Sequence, residues 1–146
     1  MIIRPEQLEA FQSVADRVFV RQMVEYLREN HAGALVYLPD GSIAVEQIPD
    51  EILYEMVRNG IARARSYGLS WESTVGAFVV LMIVIAPNFD EHPLIQRILT
   101  DESVPENDRI DELWGRTSEQ NWEAAEKSYD ANAWNLKHRE MKNEQQ

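Results

Sequence analysis

Apolar residues recur at steps of three and four along most of this chain, which is the periodicity of helices packed by one face. From Pro5 to Asn30 the spaced residues are Leu8, Phe11, Val14, Ala15, Val18, Met23, Tyr26 and Leu27, and they predict a helix with one buried face. Pro5 suits a first-turn position, where its missing N–H costs nothing, and Gly33 offers a positive-φ ending. The pattern changes at Ala34-Leu35-Val36-Tyr37-Leu38, Pro39-Asp40-Gly41 and Ser42-Ile43-Ala44-Val45-Glu46. These β-prone runs around a turn read as a small hairpin over 34–46, with a loop covering the core as the competing reading. Asp50 as N-cap opens a second helix whose inner face is Ile52, Leu53, Met56, Val57, Ile61, Ala64 and Tyr67, and Gly68 stops it. Ser70 then caps a helix from Trp71 to Ile85 that is apolar nearly all round after Val75. It is the expected central helix, although its β-branched residues also suit a strand. Leu94, Ile95, Ile98 and Leu99 mark a short helix, and Arg109 to Trp114 another with Ile110, Leu113 and Trp114 inward.

Beyond Gly115 apolar residues become sparse. Thr117 or Ser118 caps a polar helix in which Trp122, Tyr129 and Leu136, seven apart, share one stripe. The pattern as a whole predicts an all-α fold of about five helices in one bundle-like domain over 1–115. An amphipathic C-terminal helix with a frayed tail from residue 137 fills 116–146, and its removal from residue 117 on is expected to leave the core folded.

Composition narrows the function. The chain has 146 residues, enough for one core, with 14 Lys+Arg against 25 Asp+Glu and no cysteine. Without cysteine there is no disulfide scaffold, thiol nucleophile or cysteine metal site. The net charge of -11 repels phosphate backbones and anionic lipid, so the expected partner is neither nucleic acid nor membrane. The longest apolar run, Val75 to Ala86, falls short of the about 20 residues that span a bilayer, and the N-terminus lacks a secretory pattern. A cytoplasmic protein is the default expectation.

Candidate chemistry is thin. Asp90, Glu91 and His92 come nearest to a metal cluster, but consecutive side chains diverge, and helix entry explains acids there. No Gly-x-Ser-x-Gly, phosphate loop or His-Glu-x-x-His is present, and the acid pairs sit in polar stretches. The expectation is therefore a protein that is not an enzyme, with no catalytic residue, cofactor or metal. Arg58, Ala62 and Arg65 share one helix face, which could bind a carboxylate-bearing partner or pair with the chain's own acids. From Asp90 to Glu126 there are eleven acids against three arginines, a balance of -8. Trp114, Trp122 and Trp134 stand in or just after that span. Tryptophan anchors interfaces and charge steers encounter, which makes Trp114, Trp122, Tyr129, Trp134, Asp108, Asp111, Glu112 and Glu119 the candidate protein-binding residues. The alternative is that the tryptophans fold back on the core.

One stretch adds a family expectation. Gly60-Ile61-Ala62-Arg63-Ala64-Arg65-Ser66-Tyr67-Gly68, the Met1-Ile2-Ile3-Arg4 start and Pro87-Asn88-Phe89-Asp90 resemble small acidic helical accessory proteins. Those are encoded beside spike and effector genes in bacterial type VI secretion clusters. The resemblance covers about residues 1 to 114 and implies a chaperone or adaptor that holds a secreted effector or spike protein. It carries over no catalytic residue. An immunity protein whose acids plug a toxin's basic active site is the second reading, and a small hydrolase the third. A homodimer stays open.

Overall fold

A computed structural model describes residues 5–137, with side chains from residue 14 onward. The apolar run forms α3 (Glu72–Val84), and Val75, Phe78, Val79, Leu81, Met82 and Ile83 bury it on several sides. Around it stand α1 (Pro5–Asn30), α2 (Asp50–Ser66), α4 (Pro93–Leu99), α5 (Arg109–Arg116) and α6 (Glu119–Lys127). A hairpin of β1 (Leu35–Leu38) and β2 (Gly41–Ala44) joins α1 to α2, with Val36 opposite Ile43 and Leu38 opposite Gly41. The fold is mostly α, as the periodicity predicts, and the hairpin prevails over a loop. Two strands alone are marginal, and this pair persists because Val36 and Val45 are fully buried against the helices.

Several local expectations are corrected. The buried stripe of α1 is Phe19, Val20, Met23, Val24 and Leu27, while Val14, Ala15, Val18 and Tyr26 are exposed. Apolar residues lie on two overlapping stripes of this helix, and packing on α2 and α3 selects one. Leu8 and Phe11 fall outside the described side chains. Gly33 does not take positive φ; Gly41 and Gly68 do, at 137° and 88°. Asp50 is the first residue of α2 and not its cap, and it accepts from Arg28 Nη2 at 2.6 Å. Arg28 also donates to the carbonyls of Val45 and Ile48, which ties the end of α1 to the hairpin's exit. Ser70 does not cap α3. Asn107, distant in sequence, does that work: its Oδ1 accepts from the N–H of Ser70 and Trp71 and from Thr74 Oγ1 at 2.8–3.1 Å. Unpaired donors at a helix start need an acceptor, and tertiary contact supplies one.

The C-terminal segment differs most. The helix ends at Lys127, so Trp122, Tyr129 and Leu136 do not form one stripe. Asp130 accepts from Asn132 N–H and starts a short 3-10 turn, Ala131–Trp134, and Asn135 leaves it with φ at 54°. Asp and Asn offer the backbone such local bonds in place of helix. The turn carries Trp134 and Leu136 into the core. Buried Asn88 donates to Ser128 C=O and accepts from Asp130 N–H, both at 2.9 Å. Asn59 donates to the carbonyls of Trp134 and Asn135, and Glu55 accepts from Lys137 N–H at 2.6 Å. Residues 117–137 are thus bolted onto the helices that precede them. The rest of the predicted frayed tail, 138–146, lies outside the described residues.

Candidate protein-binding surface

The candidate interface residues divide between two places. Where α5 meets α6, the rings of Trp114 and Trp122 lie 5.9 Å apart and 33° off parallel. Trp122 is half-buried against the core, whereas Trp114 is 57% exposed and does not point inward as its spacing suggests. Asp111 and Glu119 each stand three residues before a tryptophan, one helical turn away. Asp108, Asp111 and Glu119 are exposed and make no ion pair among the described residues. Glu112 approaches Arg116 at 3.8 Å, and Arg116 also reaches Asp101 at 3.2 Å. Hydrogen bonds from Ser103, then Arg116, hold the Asp101 carboxyl below its ordinary pKa.

Tyr129 and Trp134 stand elsewhere. Trp134 is fully buried, and its Nε1 donates to Tyr129 Oη at 3.1 Å. Tyr129 Oη also accepts from Tyr37 N–H at 3.0 Å, and the two tyrosine rings meet edge-on at 5.2 Å. Burial raises the Tyr129 pKa. Through these contacts Tyr129 and Trp134 clamp the segment after α6 to the hairpin. A further exposed tryptophan, Trp71 at the start of α3, escaped the sequence reading because its position there looked like a helix entry.

The Asp90, Glu91 and His92 triplet separates into different structural tasks. Asp90, 2% exposed, accepts from Arg63 Nε at 2.9 Å through both oxygens and from Tyr67 OH at 2.7 Å. Glu91 takes the other end of Arg63 at 2.7 Å, and His92 Nδ1 accepts from Leu94 N–H to cap α4. Among the described residues no three His, Asp or Glu side chains come together to hold a metal. Burial opposes the Arg63 charge, but the bonds and charges of Asp90 and Glu91 outweigh it and raise its pKa. Burial, then the hydrogen bond to Asp90, raises the Tyr67 pKa above its ordinary value.

That shift has a definite sign. An unfolded tyrosine loses its proton near pH 10, whereas folded Tyr67 keeps it, so its contribution is complete below about pH 10 and declines above. Urea unfolding between neutral pH and pH 11 should show stability falling past about pH 10. Tyr67→Phe should flatten that decline while costing about 1–3 kcal/mol at neutral pH, because the bond to a carboxylate is lost. An identical alkaline decline in both proteins would remove Tyr67 from the explanation.

Taken together, these features define a mostly helical domain with a hairpin insert and an exposed, acid-flanked tryptophan on the α5–α6 face. Among the described residues no helix is long and apolar enough to cross a membrane. No protein-family model, no curated protein and no solved structure matches this chain.

Proposed function

We propose that this chain is a non-enzymatic, protein-binding accessory protein: a cytoplasmic chaperone or adaptor that holds a secreted effector or spike protein of a type VI secretion system. Its client presents a basic or apolar surface to the α5–α6 face. The observation that carries the reading is Trp114, 57% exposed, braced by Trp122 and bordered by Asp108, Asp111 and Glu119 without ion-pair partners among the described residues. An indole ring held rigid by a neighbour loses little freedom on contact and buries a large area, while unpaired acids steer a basic partner and select it. The type VI assignment rests on the sequence resemblance.

The test is co-purification from the native cell followed by identification of the bound chain. Trp114→Ala should weaken retention about 10- to 100-fold, and Asp111→Lys with Glu119→Lys should weaken it further. The melting temperature should hardly move, since these side chains are exposed. Binding should also weaken as salt rises. Full retention of the same chain by both variants would overturn the reading. The unpaired acids also favour a second reading, an immunity protein, and the client's activity separates the two. An adaptor leaves a bound toxin active, whereas an immunity protein abolishes its activity.

A further inference from the structure

A groove elsewhere on the molecule carries the opposite charge. Where α1 and α2 lie side by side they leave a cavity of about 470 Å³ whose apolar floor includes Phe19, Tyr54 and Ile61. Its rim carries Arg17 and Arg21 from α1 and Arg58 and Arg65 from α2, with Asp16 as the one acid. Arg65 and Asp16 pair at 3.0 Å, both about half exposed at 47% and 52%. Arg17, Arg21 and Arg58 are exposed and make no ion pair among the described residues.

This arrangement runs against the chain's composition. Acids outnumber bases 25 to 14, and Arg28, Arg63, Arg65 and Arg116 each pair with one of the chain's own acids. Arg17 and Arg21 instead stand one turn apart on the same helix, where like charges repel. From this charge pattern over an apolar floor we infer that the α1–α2 groove docks an acidic amphipathic helix of a partner protein. The helix lays its apolar residues on the floor and its carboxylates on the arginines.

The number and spread of the arginines select that occupant over a small anion. One carboxylate fills one guanidinium fork, whereas Arg58 and Arg65 alone are separated by about 10 Å of helix rise. Satisfying the rim takes several carboxylates repeated at helical spacing, which is what an amphipathic helix in a groove presents. The site is separate from the Trp114 face and of opposite charge, so an adaptor could hold two partners at once.

The test uses the full chain and a fluorescently labelled synthetic helix bearing leucines on one face and glutamates along both flanks, followed by anisotropy at low salt. The helix should bind. A peptide with lysines for glutamates should not bind, and a scrambled peptide of the same composition should bind at least about tenfold more weakly. Arg21→Glu and Arg58→Glu should each weaken binding at least about tenfold with the melting temperature retained. Should a reversal lower that temperature, Arg21→Gln and Arg58→Gln are to show the same loss. Trp114→Ala should bind the peptide normally, which separates this site from the proposed client face. Four results would overturn the inference: no binding, equal binding of the lysine peptide, indifference to the arginine variants, or full displacement by a medium-chain fatty acid. Self-association of the free chain that Arg21→Glu abolishes would also overturn it, by making a second copy the occupant.

Discussion

Replacing Trp134 by alanine should cost about 3–5 kcal/mol of unfolding free energy, the range for deleting a large aromatic side chain from a packed core. Trp134 is fully buried, and no larger side chain is as deeply enclosed in the described structure. Two losses add to the cavity. Tyr129 Oη loses the indole N–H, and the turn that Asn59 holds through the carbonyls of Trp134 and Asn135 loses its anchor. Removing residues 117–146 should therefore destabilise the helices as well, contrary to the expectation from polarity alone, because Ala125, Trp134 and Leu136 belong to the core cluster. Urea unfolding followed by circular dichroism measures both changes. A loss under about 1 kcal/mol for Trp134→Ala would show that this segment only rests on the surface.

Asp90→Ala should have the next largest effect, a loss of about 3 kcal/mol. The carboxylate is nearly inaccessible, and its removal leaves Tyr67 OH without its acceptor and Arg63 with Glu91 alone. Breaking one side of a buried ion pair costs more than the pair contributes, since the remaining charge keeps its desolvation penalty. It follows that Arg63→Met combined with Asp90→Leu should recover part of the loss. Thermal and urea unfolding of the single and double variants checks this. A double variant no more stable than Asp90→Ala would show that packing around Asp90, and not the stranded charge, dominates.

The stretches around Gly60 to Gly68 and Asn88 to Asp90 have structural tasks in the fold. Gly60 lets α2 approach α3, where an added Cβ would stand 3.2 Å from Met82 Sδ and Val79 Cγ2. Gly68 turns the chain with φ at 88°, Tyr67 and Asp90 join α2 to the start of α4, and Asn88 holds the chain end. Each is legible in sequence as a stop, a turn or a helix face. The partner that each meets is not.

The same divide runs through the candidate surface. Trp114, Trp122 and Trp134 all occur in polar surroundings; helical spacing placed Trp114 inward with Ile110 and Leu113, and left Trp122 and Trp134 free to face the core or a partner. The structure leaves Trp114 exposed, half-buries Trp122 and encloses Trp134. Asp130 and Asn135 belong to residue types that compete with helical bonding; they break the helix and aim Trp134 at the core, against the seven-residue spacing of Trp122, Tyr129 and Leu136. Arg17 and Arg21 carry no signal in sequence because the strip they complete joins arginines of two helices, more than thirty residues apart along the chain.

Periodicity, turn residues and charge by themselves determined the first five helices, the hairpin position, the buried central helix and the acidic character of this protein. Those features follow from local backbone preference and from counting, which need no knowledge of neighbours. Only the tertiary structure decided which stripe of α1 is buried, which side chain caps α3, which acids neutralise Arg63 and which tryptophans stay in water. Those choices are made between segments far apart in the chain, where a buried polar group must find its partner and an apolar face its cover, and local spacing carries no record of either.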